Sequence, residues 1–208
     1  MKKMLLSKII TNIAYAFFFT AIFVLLYNYI LDEKVDGYIT LVNKRSGSVS
    51  DEVRNPEYNF ESKHLIKYPA YGSKYATLKI DKLDMNLPLY YGDTLKILRY
   101  GIGHYAGSYF PGENGTIILA GHNTAAYFKR LDELVKGDEI VIEASYGTFK
   151  YIVDRADVVK ETDYEAFKVD HNSERLIMYT CYPMNRRVVG RRTKRYVVYA
   201  YKEGDTSE

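Results

Sequence analysis

The chain is poor in cysteine, tryptophan and net charge. Cys181 is the only cysteine among 208 residues, and tryptophan is absent. A single thiol excludes a disulfide within the chain. Cys181 is therefore a buried small hydrophobe, half of an intermolecular link, or a thiol kept for its reactivity. The net charge of +3 leans partly on the N-terminal lysines and makes no case for nucleic acid as a partner. Internal repeats are not evident. What the chain has instead is 22 tyrosines, whose rings and hydroxyls suit a half-wet binding surface.

A long apolar run lies near the N-terminus. Lys2, Lys3 and Lys8 precede residues 9–31, a stretch without a charged side chain, and Asp32, Glu33 and Asp36 follow it. As a helix that stretch extends about 35 Å, enough to cross a hydrocarbon core of about 30 Å. Lysines before and acids after predict a cytoplasmic N-terminus. The run is too long for a signal-peptide core and no small-x-small cleavage site follows, so an uncleaved signal anchor is expected. An exported chain sharpens the question of its lone thiol, because disulfides normally form outside the cytosol and need two partners.

Beyond the anchor, residues 32–70 read as an irregular spacer, with room for one helix packing on the domain. Ser46 to Glu52 is polar and turn-prone, and Asn55-Pro56 is a turn signal. From Tyr75 onward short strands are predicted at 75–80, 87–91, 116–120, 139–143, 148–153, 176–180 and 195–201. The run 116–120 is continuously apolar and reads as a buried central strand. Residues 125–135 carry helical spacing that Gly137 ends. About eight strands with few helices make the chain mainly β and suggest a closed or nearly closed barrel.

Cysteine chemistry needs a thiolate, an acid or base close by, and donors for a developing oxyanion. Cys181 ends a predicted strand, where a reactive side chain is readily presented. Of four histidines, His64 and His171 sit in polar stretches, and His104 reads as a hydrogen-bonded loop residue. His122 follows a buried strand directly, and Gly121 permits a sharp exit toward the sheet edge; a packing histidine is the plain alternative. Arg186, Arg187, Arg191, Arg192, Lys194 and Arg195 crowd the segment after Cys181, and most of them read as a solvated loop. Arg195 begins a strand and can bring a permanently charged fork of donors to a groove.

Leu119-Ala120-Gly121-His122, Tyr179-Thr180-Cys181 and Lys194-Arg195-Tyr196-Val197-Val198 together resemble the sortase family, membrane-anchored cysteine transpeptidases of mainly Gram-positive cell surfaces. His122 precedes Cys181 by 59 positions and Arg195 follows it by 14. Residues 100–105, 110–115 and 137–140 are similar to sortase segments too, so the resemblance covers about 75–202. Sortases commonly read Thr-Leu-x-Thr-Cys at the nucleophile. Ile177-Met178-Tyr179-Thr180-Cys181 departs from this, which leaves the strand apolar but weakens subclass assignment. Thr-Cys-Tyr-Pro is most similar to class D.

The resemblance implies a closed eight-stranded sortase-type barrel with one or two short helices. It divides the chain into a cytoplasmic end (1–8), the anchor (9–31), the spacer (32–70), an extracellular catalytic domain (71–203) and a tail (204–208). It implies that Cys181 attacks a Leu-Pro-x-Thr-like sorting motif at the C-terminus of secreted proteins, that His122 serves as acid and base, and that Arg195 binds the substrate carbonyl. Thr180, Asn123 and Tyr182 are implied as substrate contacts, with choice of substrate residing in loops 158–174 and 183–193. The implied partners are sorting-signal peptides, an amine of a peptidoglycan precursor or a pilin, and the membrane, with no nucleic acid. No cofactor is implied. Calcium is possible in the family, and Glu113 is the one weak candidate to bind it. Some pilin-polymerising sortases carry an Asp-Pro-aromatic lid upstream. Asn55-Pro56-Glu57 does not match that motif, so no lid is expected. Two other readings stand beside this one. An L,D-transpeptidase also runs His before Cys but places serine, histidine and glycine shortly before the cysteine. A non-enzymatic anchored binding domain would tolerate Cys181→Ala.

Overall fold

The computed structural model describes Lys8 and residues 10–27, 56–184 and 191–204. Residues 28–31 of the expected anchor, 32–55 of the expected spacer, 185–190 of the arginine-rich loop and 205–208 of the tail lie outside the described residues. The chain divides into two units, one N-terminal and one holding all the strands.

The N-terminal unit contains a helix, α1 (Ile10–Tyr27), whose side chains none of the protein buries. Eighteen residues make it about 27 Å long. It carries no charged side chain, and among its polar residues Thr20 turns its hydroxyl back onto the Ala16 carbonyl, as a helix in lipid needs.

The second unit opens with a hairpin of β1 (Glu57–Asn59) and β2 (His64–Lys67). Eight further strands follow: β3 (Lys74–Ile80), β4 (Met85–Tyr91), β5 (Ile102–His104), β6 (Thr116–Ala120), β7 (Glu139–Ala144), β8 (Gly147–Lys160), β9 (Arg175–Tyr182) and β10 (Lys194–Lys202). They close into a barrel in the order β10-β8-β7-β3-β4-β5-β6-β9, so the expected eight-stranded barrel is present. Most pairs are antiparallel, while β4–β5 and β6–β9 are parallel. Alternation sorts the side chains. Leu176 and Met178 of β9, Leu119 of β6 and Val198 of β10 point inward to the main core. Ile177, Ile118 and Val197 point outward into a second apolar cluster.

Three expectations need correcting. Residues 57–67, within the expected spacer, form a hairpin rather than an irregular tether or a helix. Leu65 reaches the barrel core, and Tyr58 packs against it. The helix expected over 125–135 is only a 3-10 segment, Phe128–Glu133. The backbone donors of Tyr127 and Lys129 go to the Thr124 carbonyl and that of Phe128 to His122, so no α-helical ladder starts there. Gly137, with φ +94°, turns the chain into β7 instead of ending a helix. Finally, β8 runs 14 residues, to Lys160, well past the predicted end at 153.

Candidate active site

Register brings three residues into one row. Ala120 of β6 lies opposite Tyr179 of β9, and the Gly121 N–H continues the pairing to the Tyr179 carbonyl at 3.1 Å. His122 follows at once where the chain leaves β6, and the side chain of the next residue, Asn123, bonds the Cys181 carbonyl, so His122 sits beside the end of β9. On the other side of β9, Cys181 lies directly opposite Arg195 of β10. Directly opposed residues project from the same face of a sheet, and for this pair it is the outer face, shared with Ile177, Tyr179 and Val197. Neighbouring strands lie about 4.8 Å apart. The ends of β9 and β10 and the turn leaving β6 thus bring Cys181, Arg195 and His122 to one end of the barrel.

Each member is set by local chemistry. A Cβ on Gly121 would come within 2.5 Å of the buried Phe128 ring and 2.9 Å of Ile102, so only glycine lets the chain leave β6 this tightly. The His122 carbonyl then accepts from Thr124 and Phe128. Burial, reinforced by the Arg99 cation, pushes the His122 imidazole below its ordinary range, so the neutral form prevails near pH 7. Cys181 is partly exposed and forms no disulfide. Arg195 is mostly buried, with its side chain 20% exposed. Its Nη2 donates to Glu161 Oε2 at 2.8 Å, and its Nη1 donates to the carbonyls of Arg192 and Lys194.

Asn123, expected to touch substrate, acts between the two strands. Its Nδ2 donates to the carbonyls of Cys181 and Pro183, each at 3.0 Å. The segment carrying His122 is thereby stapled to the segment carrying Cys181. Thr180 faces inward by alternation and is 1% exposed. Tyr182 packs against the main core. Neither side chain shares the outward face of Cys181. Among the described residues, four buried side-chain polar atoms have no partner. Three of them, Asn123 Oδ1, Thr124 Oγ1 and Thr180 Oγ1, belong to residues next to or near His122 and Cys181. Such concentrations mark functional places rather than scaffolding.

Below the row, the outer face forms an apolar floor of Ile118, Ile177 and Val197. The chain after β8 crosses it. Phe167 stacks edge-on to Tyr179 at 5.0 Å, and the Tyr199 hydroxyl donates to the Ala166 carbonyl. Burial and the nearby Asp93 carboxylate push the Tyr179 phenol up to about 12. Burial also raises the Asp93 carboxyl.

The other candidates have structural partners. His104 lies in β5, fully buried, with Nδ1 accepting from Tyr75 and Nε2 donating to Ser108. The Ser108 proton is committed to the Tyr105 carbonyl, so Nε2 carries the ring proton, and burial keeps the ring neutral with a pKa of about 3. Glu113, weighed as a calcium ligand, is 4% exposed and accepts from the N–H groups of Leu65 and Phe110 and the Tyr68 hydroxyl. It ties the hairpin to the barrel.

The sortase domain family matches residues 78–203, which includes the whole row. The chain belongs to the sortase family. Sortase D of Bacillus subtilis (strain 168) is 39% identical over 131 residues, which are 63% of this chain and 65% of that relative, just under two thirds of its length. Among solved structures, a Clostridium perfringens Sortase D5 transpeptidase superimposes with a TM-score of 0.56 at 28% identity, over 64% of this chain and 80% of that one. Sortase C from Clostridium perfringens SM101 gives 0.55 at 27%, over 64% and 71%.

Proposed function

We propose that this sortase is a membrane-anchored cysteine transpeptidase acting on a Leu-Pro-x-Thr-like motif near the C-terminus of secreted proteins. The observation that supports this is the pairing of Cys181 with Arg195 across β9 and β10, with the segment of His122 tied to Cys181 through Asn123. The Cys181 sulfur attacks the carbonyl carbon of the motif threonine and forms a thioester. The amide C–N bond breaks, and His122 supplies the proton that lets the amine leave. An incoming amine, from a peptidoglycan precursor or a pilin lysine, then attacks the thioester. His122 takes its proton, the new amide forms and the thiol is restored. Three of the five N–H donors of Arg195 are engaged by described residues. The remaining two serve the substrate oxygen as it gains charge.

Burial and the Arg99 cation disfavour imidazolium at His122, so the thiolate–imidazolium pair is a minority form and the rate follows a bell-shaped pH profile. Helix α1 anchors the enzyme, with the N-terminus cytoplasmic and the barrel outside, as Lys2, Lys3 and Lys8 before it and Asp32 and Glu33 after the apolar run direct. Because the Glu113 carboxylate is occupied by protein donors, chelation of calcium should leave activity unchanged.

A peptide-library cleavage assay with the full chain in detergent micelles tests the reading. Selective cleavage after threonine in a Leu-Pro-x-Thr context, lost in both Cys181→Ala and His122→Ala, supports it. Retained cleavage in either variant overturns it. External protease digesting the barrel on intact cells would support the orientation, and full protection would contradict it.

A further inference from the structure

Arg195 is held from the side away from Cys181. Cys181 lies opposite Arg195, and on the far side of β10 Arg195 lies opposite Val159 of β8. The pairing continues past the end of β8, where the Glu161 N–H donates to the Thr193 carbonyl at 2.8 Å. Glu161 is therefore two residues along from Val159, on the same outward face, and is a diagonal cross-strand neighbour of Arg195. Its carboxylate is 17% exposed, and its Oε2 accepts from Arg195 Nη2 at 2.8 Å. Both partners are mostly out of water, where removal of one costs far more than at an exposed pair. Glu161 Oε1 also meets Arg191 at 2.9 Å, but Arg191 is 80% exposed and that contact is screened.

We infer that Glu161 is a positioning residue that aims Arg195 at the row containing Cys181. The inference rests on the transpeptidase reading above. An arginine side chain is long and has many rotamers, and a free one would have to be ordered in each turnover. The carboxylate of Glu161 and the carbonyls of Arg192 and Lys194 fix the guanidinium plane before substrate arrives. The two N–H donors not engaged by described residues then meet the substrate oxygen without reorganisation. Glu161 touches no reacting atom, so it works only through Arg195.

The test is a double-mutant cycle on the full chain in detergent micelles, with a fluorogenic peptide carrying the cleaved motif as substrate. Glu161→Ala should lower kcat/KM about 10- to 100-fold, mostly in kcat, somewhat less than the roughly 100- to 1000-fold cost of removing an oxyanion donor outright, because Arg195 stays but is no longer aimed. Glu161→Gln keeps the volume and an acceptor for Nη2, and should fall between it and the unaltered enzyme. In the Arg195→Ala background, Glu161→Ala should add less than about a twofold further loss. Arg191→Ala should stay within about twofold of the unaltered enzyme. Unfolding midpoints of each variant separate a fold defect from a positioning defect, and the Gln variant serves where Ala does not fold. Multiplicative losses in the cycle, or a Glu161→Ala enzyme with unchanged kcat, overturn the inference and leave the transpeptidase reading standing. Failure of the unaltered chain to cleave, or cleavage by Cys181→Ala, overturns both.

Discussion

Strand β9 begins beside Glu174 and ends at Cys181 and Tyr182, and its two ends are built on opposite plans. Seven residues, about 23 Å of strand, separate Glu174 from Cys181. At the base, Glu174 is 1% exposed and accepts from Gly112 N–H, Asn114 N–H, Tyr151 Oη and Lys202 Nζ. Glu113 beside it is as fully engaged, and between them they hold the hairpin, the loop 110–114 and the end of β10. At the rim, Asn123, Thr124 and Thr180 carry buried atoms without partners, and the thiol is partly open. The two histidines repeat the contrast. His104 has both ring nitrogens occupied, whereas His122 is held through its backbone carbonyl, which accepts from Thr124 and Phe128. Satisfied polar groups stabilise this fold, and incompletely satisfied ones mark where it works.

The contrast can be broken from either end. Cys181→Ala or His122→Ala should reduce motif cleavage at least about 1000-fold. The unfolding midpoint should stay within a few degrees, because neither side chain carries the core. Next, Glu174→Ala should cost about 3 kcal/mol, since it leaves the Tyr151 hydroxyl, two N–H groups and the Lys202 ammonium without their acceptor. Denaturant unfolding would show that loss, while kcat per folded molecule should be unchanged. Removing residues 56–70 acts on the same base. It strips Leu65 from the core and two donors from Glu113, so a soluble barrel cut at residue 70 should be less stable than one that keeps the hairpin.

Smaller effects sharpen the same contrast. Asn123→Ala removes the staple between the segments of His122 and Cys181, and should lower kcat/KM about tenfold while costing about 1–2 kcal/mol of stability. A separate test, read as a pH slope, concerns His104. Its folded pKa of about 3 lies below the ordinary 6.5, so the unfolded chain takes up the proton first. Stability should therefore fall by about 1.4 kcal/mol per pH unit as pH drops from 6.5 toward 3. His104→Asn should make that slope shallower in chemical denaturation between pH 4 and 6. An unchanged slope would show that the ring is not neutral and buried.

Much of the barrel could be read from the chain, because half-buried and buried strands leave periodic or continuous apolar runs. The stretches 116–120, 139–143 and 195–201 became β6, β7 and β10 almost residue for residue. Strand β5 could not be read in the same way, since two of the residues at 101–103 are glycine and a three-residue strand has no period. The hairpin at 57–67 was hidden because its one core residue, Leu65, stands in a polar run. The apparent helix at 125–135 had the right spacing, with Phe128 and Leu131 buried, but its backbone donors were drawn back to His122 and Thr124. For the site, the residue types and their order were legible. What joins them was not. Asn123 as a staple and Glu161 as a partner of Arg195 depend on cross-strand register, and nothing local marks a glutamate 34 positions before an arginine as its neighbour.

The central claim is that the lone thiol at the rim becomes acylated. Intact-protein mass spectrometry of the full chain mixed with a Leu-Pro-x-Thr-containing peptide tests it most directly. The account predicts one added mass, equal to the peptide up to its threonine less water, on Cys181. Hydroxylamine should remove it, and Cys181→Ala should never show it. Peptide cleavage with no such adduct under trapping conditions, or an adduct that persists in Cys181→Ala, would contradict the account.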